Sequence, residues 1–223
     1  MFKKLSIAMP LVQGLPAEVV ESLLNGVLEA RKEFEGEVEI HTCVDLFPYD
    51  RARNFLFGES LESGCDLIWC LDSDCLVPKG AFTKLYATLT SRSAQAVLAH
   101  NYMRGYPYVS SWFSPLGDTF VHSSAGSGVH KIRSGAFHCV LIDLKWVKEN
   151  MKEPYFKYTP HKDEEYRVME DAWFFKKMGE SSGLVLGDAD VRTGHVYTRI
   201  VVSDKTIGVL RKLQLTALEE VDL

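Results

Sequence analysis

Two aspartates, Asp72 and Asp74, directly follow the apolar run Leu67–Leu71 and are separated by a single serine. In extended backbone, residues two apart point to the same side, so both carboxylates can face one ligand. Two adjacent anions repel each other, and a divalent cation between them relieves that repulsion. Such a cation would in turn neutralise a bound diphosphate. The alternative is a solvated acidic turn, because Asp-Ser-Asp also favours turns.

The N-terminal half of the chain shows an alternation of strand and helix patterns that would position this pair. Apolar and β-branched runs predict strands, and apolar residues at i, i+3 and i+4 predict helices. Alternating strands and helices indicate a mainly parallel sheet covered by helices, and such sheets bind ligands at the carboxyl ends of their strands. The predicted strands are 5–11, 38–44, 66–71 and 94–100, and the predicted helices are 16–28, 48–63 and 78–91.

The C-terminal half is less regular. Residues 106–122 are aromatic and predict a hairpin or loop, 123–128 form a small flexible segment, and 151–166 are irregular. Strands are predicted at 135–143 and 183–186, and helices at 170–178 and 207–218. No linker-like change of composition occurs, so we expect one domain over 1–223, with a first half of 1–105 and a second half of 106–223.

Composition narrows the class of protein. The 223 residues are 46% hydrophobic and 25% charged, which is typical of a globular chain, and the formal net charge is −5. An acidic chain is not suited to non-specific nucleic-acid binding as its main function. No apolar run approaches the ~20 residues of a membrane span, so we expect no transmembrane segment. Five cysteines without a secretion signal indicate free, buried thiols and a cytoplasmic protein.

Four segments, in order, resemble those of GT-A glycosyltransferases of the family-2-like kind. RARNFLFGESLESGCDLIWCLDSDCLVP resembles their Arg-bearing helix, apolar strand and D-x-D motif. Its Arg53-Asn54 pair is also similar to that of Anp1-type mannosyltransferases and viral relatives. GAFHCVLIDLKWVKE resembles the family's central strand, VMEDAWFFKKM its acidic helix start, and DVRTGHVY its late Gly-His. The resemblance implies a single α/β domain of the GT-A, Rossmann-like type.

The resemblance also implies a metal site. Asp74 would bind the ion directly, Asp72 would bind it through water or hold the donor ribose, and His195 would be the third ligand. Manganese, or magnesium, is the expected ion, and imidazole suits manganese. The other histidines show no ligand spacing and are interpreted as ordinary residues, except that His100 and His138 come close to predicted strand ends and are further site candidates.

Glu170 and Asp171 are the catalytic candidates. Attack on an anomeric carbon requires the acceptor hydroxyl to lose its proton, and Asp171 is the predicted general base. Glu170 would contact the acceptor hydroxyl. The alternative for Asp171 is a helix N-cap, because acidic residues before an apolar run favour that position. A carboxylate base favours inversion of the anomeric carbon, whereas the Arg-Asn resemblance is to retaining enzymes.

The remaining candidates concern the donor, a UDP- or GDP-sugar. Arg51 and Arg53 would meet phosphates or form salt bridges within the fold. Trp112 would stack on an acceptor or belong to the core. The predicted donor contacts are Pro10, Val12, Asp45, Arg51, Arg53, Asp72 and Asn101.

The sequence therefore predicts a metal-dependent glycosyltransferase, a hexosyltransferase, that moves a sugar from a nucleoside-diphosphate sugar to an acceptor hydroxyl. One alternative is a nucleotidyltransferase of similar fold, although the Gly-rich, basic N-terminal loop expected of it is missing. Another is a non-catalytic module that binds nucleotide sugars. The acceptor (glycan, protein, lipid or modified nucleic-acid base) and the oligomeric state are not specified by any motif.

Overall fold

The computed structural model describes residues 2–12, 14–103, 109–116, 119–122, 126–158, 169–197 and 200–202. Strands and helices alternate through the first half, as the apolar periodicity predicts. The strands are β1 (Lys4–Leu11), β2 (Glu37–Val44), β3 (Leu67–Leu71), β4 (Cys75–Leu76) and β5 (Ala96–His100). The helices are α1 (Ala17–Glu33), α2 (Tyr49–Glu62) and α3 (Ala81–Arg92).

The second half contains more strands than predicted. Its helices are α4 (Leu144–Asn150) and α5 (Glu170–Glu180). Its strands are β6 (Phe113–Leu116), β7 (Thr119–His122), β8 (Val129–Lys131), β9 (Cys139–Asp143), β10 (Val185–Arg192), β11 (Gly194–Tyr197) and β12 (Ile200–Val202).

Several boundaries differ from the sequence-based predictions. The strand predicted at 135–143 begins only at Cys139, and the one predicted at 183–186 continues to Arg192. Helix α4 was missed, although Asp143 caps it by accepting a hydrogen bond from the Trp146 N–H at 2.9 Å. The pair β6 and β7 forms the hairpin that was one reading of 106–122. The helix predicted at 207–218 lies outside the described residues, as do 123–125 and 159–166.

The main sheet has seven strands in the order β2-β1-β3-β9-β5-β10-β8. Parallel pairing joins β2, β1 and β3 and also joins β5 to β10, so the predicted mainly parallel α/β architecture is confirmed. Strand β9 runs antiparallel between β3 and β5, with Leu71 paired to Cys139. Its N-terminal end therefore lies at the edge of the sheet where β3 and β5 have their carboxyl ends.

Helices cover both faces of this sheet. Side chains from α1 and α3 pack with one set of strand residues, including Leu5, Ile7 and Trp69. Side chains from α2, α4 and α5 pack with the other set, including Ile68 and Val140. All five residues of β3 are buried, as expected for a central strand that is covered on both sides.

Trp112 belongs to the core. Its side chain has no exposed surface, and its indole N–H donates a hydrogen bond to the Ala99 carbonyl at 3.1 Å. A Cβ atom at Gly187 would lie 2.8 Å from the indole ring, and one at Gly135 would lie 2.9 Å from it. The ring thus occupies space that the two glycines leave open. Of the two roles predicted for Trp112, the structure supports packing in the core.

The five cysteines are free and buried. Among the helices that the structure describes, none is long and apolar enough to cross a membrane.

A small second sheet, in the order β12-β11-β4, lies beside the D-x-D motif. Its strands are antiparallel, and the register pairs His195 with Cys75. The Val196 N–H donates to the Asp74 carbonyl at 2.9 Å. This pairing places His195, near the end of the described residues, beside Asp74, which follows β3.

Candidate functional site

A cavity of about 360 Å³ opens at the edge of the sheet where β1, β3 and β5 end. The antiparallel β9 begins at this same edge, and α5 begins beside it. The cavity therefore collects residues that lie far apart in the sequence. Its lining includes Pro10, Tyr49, Arg53, Asp72, Ser73, Asp74, Asn101, Met103, Ser111, Phe137, His138, Met169, Glu170, Asp171 and His195.

Three side chains converge in this cavity to form what we call the triad, Asp74, His138 and His195. Their ligand atoms all lie within 4.8 Å of one another. His195 Nε2 is 3.2 Å from Asp74 Oδ2, and His138 Nδ1 is 3.4 Å from Asp74 Oδ1. The two imidazole rings are 4.3 Å apart between centroids. Two nitrogen ligands and a carboxylate are a donor set that divalent transition metals accept.

Backbone carbonyls determine which ring nitrogen of each histidine faces the carboxylate. His138 Nε2 lies 3.1 Å from the Gly194 carbonyl, and His195 Nδ1 lies 3.2 Å from the Tyr102 carbonyl. A carbonyl only accepts, so each of these nitrogens carries a proton. In the neutral form of each ring the other nitrogen directs a lone pair at Asp74, and in the imidazolium form it donates to Asp74. A divalent metal ion between two neutral imidazoles and a carboxylate satisfies all three groups, and the triad therefore fits such an ion.

The structure brings together Asp74 and His195, which the sequence analysis paired, and adds His138. The sequence analysis named His138 as a site candidate close to the end of a predicted strand, but not as a metal ligand. His138 is the last residue before β9, and its carbonyl accepts a hydrogen bond from the Asp72 N–H at 3.0 Å. The sequence signal for His138 is its position next to a buried strand. That position indicates a site residue only once β9 is known to run antiparallel beside β3.

Asp72 forms a double ion pair with Arg53. Arg53 Nη1 lies 3.1 Å from Asp72 Oδ1, and Nη2 donates to Oδ2 at 3.3 Å. This fork geometry is the one in which guanidinium binds carboxylate best. In this structure the two carboxylates of the D-x-D motif thus have different neighbours: Asp74 has the histidines, and Asp72 has the arginine.

Arg53 is buried and links the D-x-D motif to the start of α5. Its Nε lies 3.4 Å from Glu170 Oε1, and its guanidinium lies 4.9 Å from the centre of the Phe137 ring. Burial lowers the pKa of Arg53, but the charges of Asp72 and Glu170 outweigh that effect and raise it above the ordinary value. Of the two roles predicted for Arg53, this geometry fits the salt bridge within the fold.

Helix α5 presents two carboxyl groups with different surroundings. Both line the cavity, but Glu170 is buried against Arg53, whereas Asp171 is only partly buried. Burial, together with the neighbouring Glu170 charge, raises the pKa of Asp171 to about 6. The Arg53 charge and the Ala172 N–H, which donates to Asp171 Oδ1 at 2.7 Å, act in the opposite direction. A carboxyl group with this pKa can exchange a proton near neutral pH.

Asp171 does not occupy the N-cap position. The N-cap of α5 is Met169, and Asp171 is the second residue of the helix. Its side chain is therefore placed at the cavity by the first turn of α5.

Asn54, which follows Arg53 in α2, holds residues 155–156 against this helix. Its Nδ2 donates to the Asp50 and Phe156 carbonyls at 2.8 and 2.7 Å. Its Oδ1 accepts from the Tyr155 and Phe156 N–H groups at 3.0 and 3.1 Å. Asn54 thus fixes residues 155–156 against α2 through both atoms of its amide.

No protein-family model and no curated protein matches the sequence. Solved structures resemble the fold. The A197 protein from STIV is 15% identical, with a TM-score of 0.66 over 91% of this chain and 91% of that chain.

Two further solved structures have the same architecture. TarS from S. aureus, residues 1-349 in complex with UDP-GlcNAc, is 12% identical with a TM-score of 0.52 over 84% of this chain. GalNAc-T7 with UDP, GalNAc and Mn²⁺ is 10% identical with a TM-score of 0.51 over 89% of this chain. Both are GT-A glycosyltransferases. The chain has the GT-A fold. It spans 56% of the TarS chain and 44% of the GalNAc-T7 chain, and the likeness at these identities establishes the fold alone.

Within this GT-A fold, the predicted donor contacts divide into two groups. Pro10 and Asn101 line the cavity, and the Ser111 hydroxyl donates to Asn101 Oδ1. By contrast, Val12, Asp45 and Arg51 are not among the described lining residues. Asp45 is exposed at the end of β2 in a left-handed conformation (φ 51°), and Arg51 is exposed on α2.

Proposed function

We propose that the chain is a metal-dependent glycosyltransferase of the family-2-like GT-A kind, a hexosyltransferase that uses a nucleoside-diphosphate sugar. The observation that carries the proposal is the convergence of Asp74, His138 and His195 in a cavity that also holds Asp171. Metal ligands for a diphosphate and a carboxyl base for an acceptor hydroxyl are the two parts that this reaction needs.

The triad residues would hold the metal ion, Mn²⁺ or Mg²⁺. When bound, the ion supplies positive charge for the diphosphate leaving group. The Gly194 and Tyr102 carbonyls keep the lone pairs of His138 and His195 directed at the ion. Asp72, held by Arg53, would reach the ion through water or contact the donor ribose. Two imidazole ligands favour manganese over magnesium.

Asp171 is the proposed general base. Its carboxylate Oδ atom accepts the proton of the acceptor hydroxyl as that oxygen attacks the anomeric carbon. Because the pKa of Asp171 is about 6, the group is mostly ionised at pH 7 and still basic enough to take the proton. Attack by the hydroxyl opposite the leaving diphosphate inverts the anomeric carbon. Glu170, paired with Arg53, would position the start of α5 and contact the acceptor.

The donor is proposed to be a UDP- or GDP-sugar. Pro10 and Asn101, which line the cavity, would contact it there. Val12 and Asp45 would contact it from the ends of β1 and β2, and Arg51 from α2. The UDP-GlcNAc bound to TarS, and the UDP and Mn²⁺ bound to GalNAc-T7, support this class of ligand.

The proposal also assigns different functions to the two halves of the chain. Residues 1–105 would bind the nucleotide sugar, and 106–223 would supply the base and the acceptor surface. The triad draws on both, with Asp74 from the first half and two histidines from the second. The acceptor is a glycan, a protein, a lipid or a modified nucleic-acid base. Free, buried cysteines are typical of reducing compartments, and we place the protein in the cytoplasm.

A donor-turnover assay tests the proposal. The protein is incubated with a panel of UDP- and GDP-sugars, with and without Mn²⁺, and released nucleoside diphosphate is measured. The expected result is metal-dependent release from one sugar, lost in Asp74→Ala. Release of pyrophosphate from a nucleoside triphosphate and a sugar phosphate would indicate the nucleotidyltransferase alternative. Saturable binding of a nucleotide sugar without turnover, even in the presence of acceptors, would indicate the non-catalytic module.

A further inference from the structure

Asn101 is a buried polar residue that borders the cavity at the carboxyl end of β5. It follows the last residue of that strand, and only 2% of its surface is exposed. Its Oδ1 accepts a hydrogen bond from the Ser111 hydroxyl, whereas its Nδ2 has no acceptor within hydrogen-bond distance among the residues that the structure describes. Nδ2 is not one of the polar atoms sealed in the interior without a partner. The N–H donors of this amide therefore face the cavity.

Ser111 holds Asn101 at two points. The Ser111 N–H donates to the Asn101 carbonyl at 3.0 Å, in addition to the hydroxyl that donates to Oδ1. The next residue, Trp112, is fixed against β5 by its hydrogen bond to the Ala99 carbonyl. The backbone and the side-chain amide of Asn101 are thus oriented before a ligand binds, and an oriented donor loses little conformational entropy on binding. Such an amide is suited to a ligand that supplies an oxygen acceptor.

The sheet order determines which part of a ligand Asn101 would meet. Strands β1, β3, β9 and β5 are neighbours in that order, so β1 and β5 lie about 14 Å apart, or three strand spacings. Pro10 lines the cavity from β1, and Asn101 lines it from the end of β5. Asp74 follows β3 and His138 precedes β9, so the triad lies between them. A diphosphate bound at the triad would therefore extend towards β1 on one side and towards β5 on the other.

The nucleoside of a bound donor belongs on the β1 side. Asp72, the proposed ribose contact, is held by Arg53 of α2, and α2 packs against β1 and β2. Val12 and Asp45, two further proposed donor contacts, follow β1 and β2. The sugar at the other end of the diphosphate would then reach the end of β5, where Asn101 lies.

We propose that Asn101 selects the transferred sugar by donating a hydrogen bond from Nδ2 to one of its hydroxyl oxygens. Because the Ser111 hydroxyl already occupies Oδ1, the amide offers only donors to a ligand. A sugar without an oxygen at this point would leave a buried donor without a partner, and the site discriminates against it. The inference rests on the proposed glycosyltransferase function and extends it by assigning sugar selection to one side chain.

Binding affinities for a nucleotide sugar and for its free nucleoside diphosphate test this role. UDP-GlcNAc, UDP-glucose and GDP-mannose, together with UDP and GDP, are titrated calorimetrically into the protein with Mn²⁺ and without acceptor. Asn101→Ala should weaken binding of the preferred nucleotide sugar about tenfold and leave the affinity for the nucleoside diphosphate unchanged. Asn150→Ala is the matched control, because Asn150 is exposed at the end of α4 and donates to the Trp146 carbonyl. That variant should change neither affinity.

Deoxy analogues of the preferred sugar identify the oxygen that Asn101 contacts. In the wild type, the analogue that lacks this oxygen should bind about tenfold more weakly than the parent nucleotide sugar. In Asn101→Ala the two should bind equally, because the partner of that oxygen has already been removed. Ser111→Ala keeps the amide but removes the group that orients it, so it should weaken binding of the parent sugar by a smaller factor.

The outcomes separate this inference from the proposed function. Thermal unfolding establishes that each variant is folded, and Ser111→Ala still tests the role if Asn101→Ala does not fold. The inference is overturned if every deoxy analogue binds the wild type as tightly as the parent does. It is also overturned if Asn101→Ala loses nucleoside diphosphate and nucleotide sugar in equal proportion. Metal-dependent turnover alongside either result leaves the proposed function in place, whereas a wild type that binds no nucleotide sugar contradicts both.

Discussion

His138 and His195 owe their directions to backbone carbonyls rather than to each other. The Gly194 and Tyr102 carbonyls each accept one imidazole N–H, so the second nitrogen of each neutral ring directs a lone pair at Asp74, and one metal ion can bind all three groups. His138 immediately precedes β9, whereas His195 lies on β11. A metal site of the proposed kind depends on every ligand, so His138, which the sequence analysis did not name as a ligand, is open to a direct test.

We expect His138→Ala to weaken Mn²⁺ binding at least tenfold, because one of three protein ligands is lost. Calorimetric titration of the metal, alone and with UDP, measures the effect. His130→Ala is the matched control, because His130 lies on β8 and bonds locally to the Ser127 carbonyl. Unchanged Mn²⁺ affinity in a folded His138→Ala protein would remove His138 from the metal site.

Asp171 gives a second residue-scale prediction, which concerns pH. Since the pKa of Asp171 is about 6, the base is lost to protonation below that value, and kcat/KM should fall on the acid side with a midpoint near pH 6. Asp171→Asn should lower turnover by roughly 10²–10⁴ and leave nucleotide binding nearly unchanged. A variant that keeps its turnover, or a wild-type profile that is flat between pH 5 and 7 (about one unit either side of the pKa), contradicts the role.

At the scale of elements, the site depends on how closely β10 can approach Trp112. A Cβ atom at residue 187 would lie 2.8 Å from the indole, and the indole N–H also donates a hydrogen bond to the Ala99 carbonyl near the end of β5. This packing positions the carboxyl end of β5, from which Asn101 and Tyr102 extend towards the cavity. The geometry of the site therefore depends on glycine at position 187, which leaves room for the indole ring.

Gly187→Ala should destabilise the fold by about 1–3 kcal/mol, because a new methyl group would lie 2.8 Å from the indole ring of Trp112. Denaturant unfolding gives the change in free energy. Gly58→Ala is the matched control, since a Cβ there meets no atom within 4 Å in the interior of α2. That control should stabilise the protein by roughly 0.5–1 kcal/mol. Equal effects of the two substitutions would show that the space beside Trp112 is not restricted.

At the scale of the whole molecule, ionisation of Asp171, the proposed base, opposes the stability of the fold. The pKa of Asp171 is raised in the folded state, so its protonated form is the more compatible with the fold. Its favourable contribution to the free energy of unfolding is complete below the unfolded pKa of about 4 and is lost as the pH rises through about 6. At pH 7 the ionised Asp171 therefore destabilises the protein.

Asp171→Asn should accordingly stabilise the whole protein at pH 7, by about 1–3 kcal/mol, while abolishing most of its activity. Thermal unfolding of both proteins at pH 7 and at pH 4 measures this. The gain should shrink at pH 4, where the wild-type carboxyl group is itself protonated. A gain that is the same at both pH values would mean that ionisation of Asp171 is not its cause.

The sequence by itself determined the parts of this protein that depend on local pattern. The apolar run before Asp72 and the alternation of strands and helices predict a helix-covered, mainly parallel sheet, because periodicity follows from which face of each element is buried. A D-x-D pair after a buried strand, and Asp171 at a helix start, are likewise visible as short patterns. Residue type and spacing alone are therefore enough to propose these side chains for the site.

Only the tertiary structure decided how those residues are partnered. The sequence contains no local signal that β9 enters antiparallel between β3 and β5, because strand order depends on long-range pairing rather than on periodicity. That one insertion brings His138 to Asp74, while the packing of α2 directs Arg53 to Asp72 and Glu170. Strand pairing and burial therefore give the two aspartates of one motif different partners: Asp74 contacts the two histidines, and Asp72 contacts the buried Arg53.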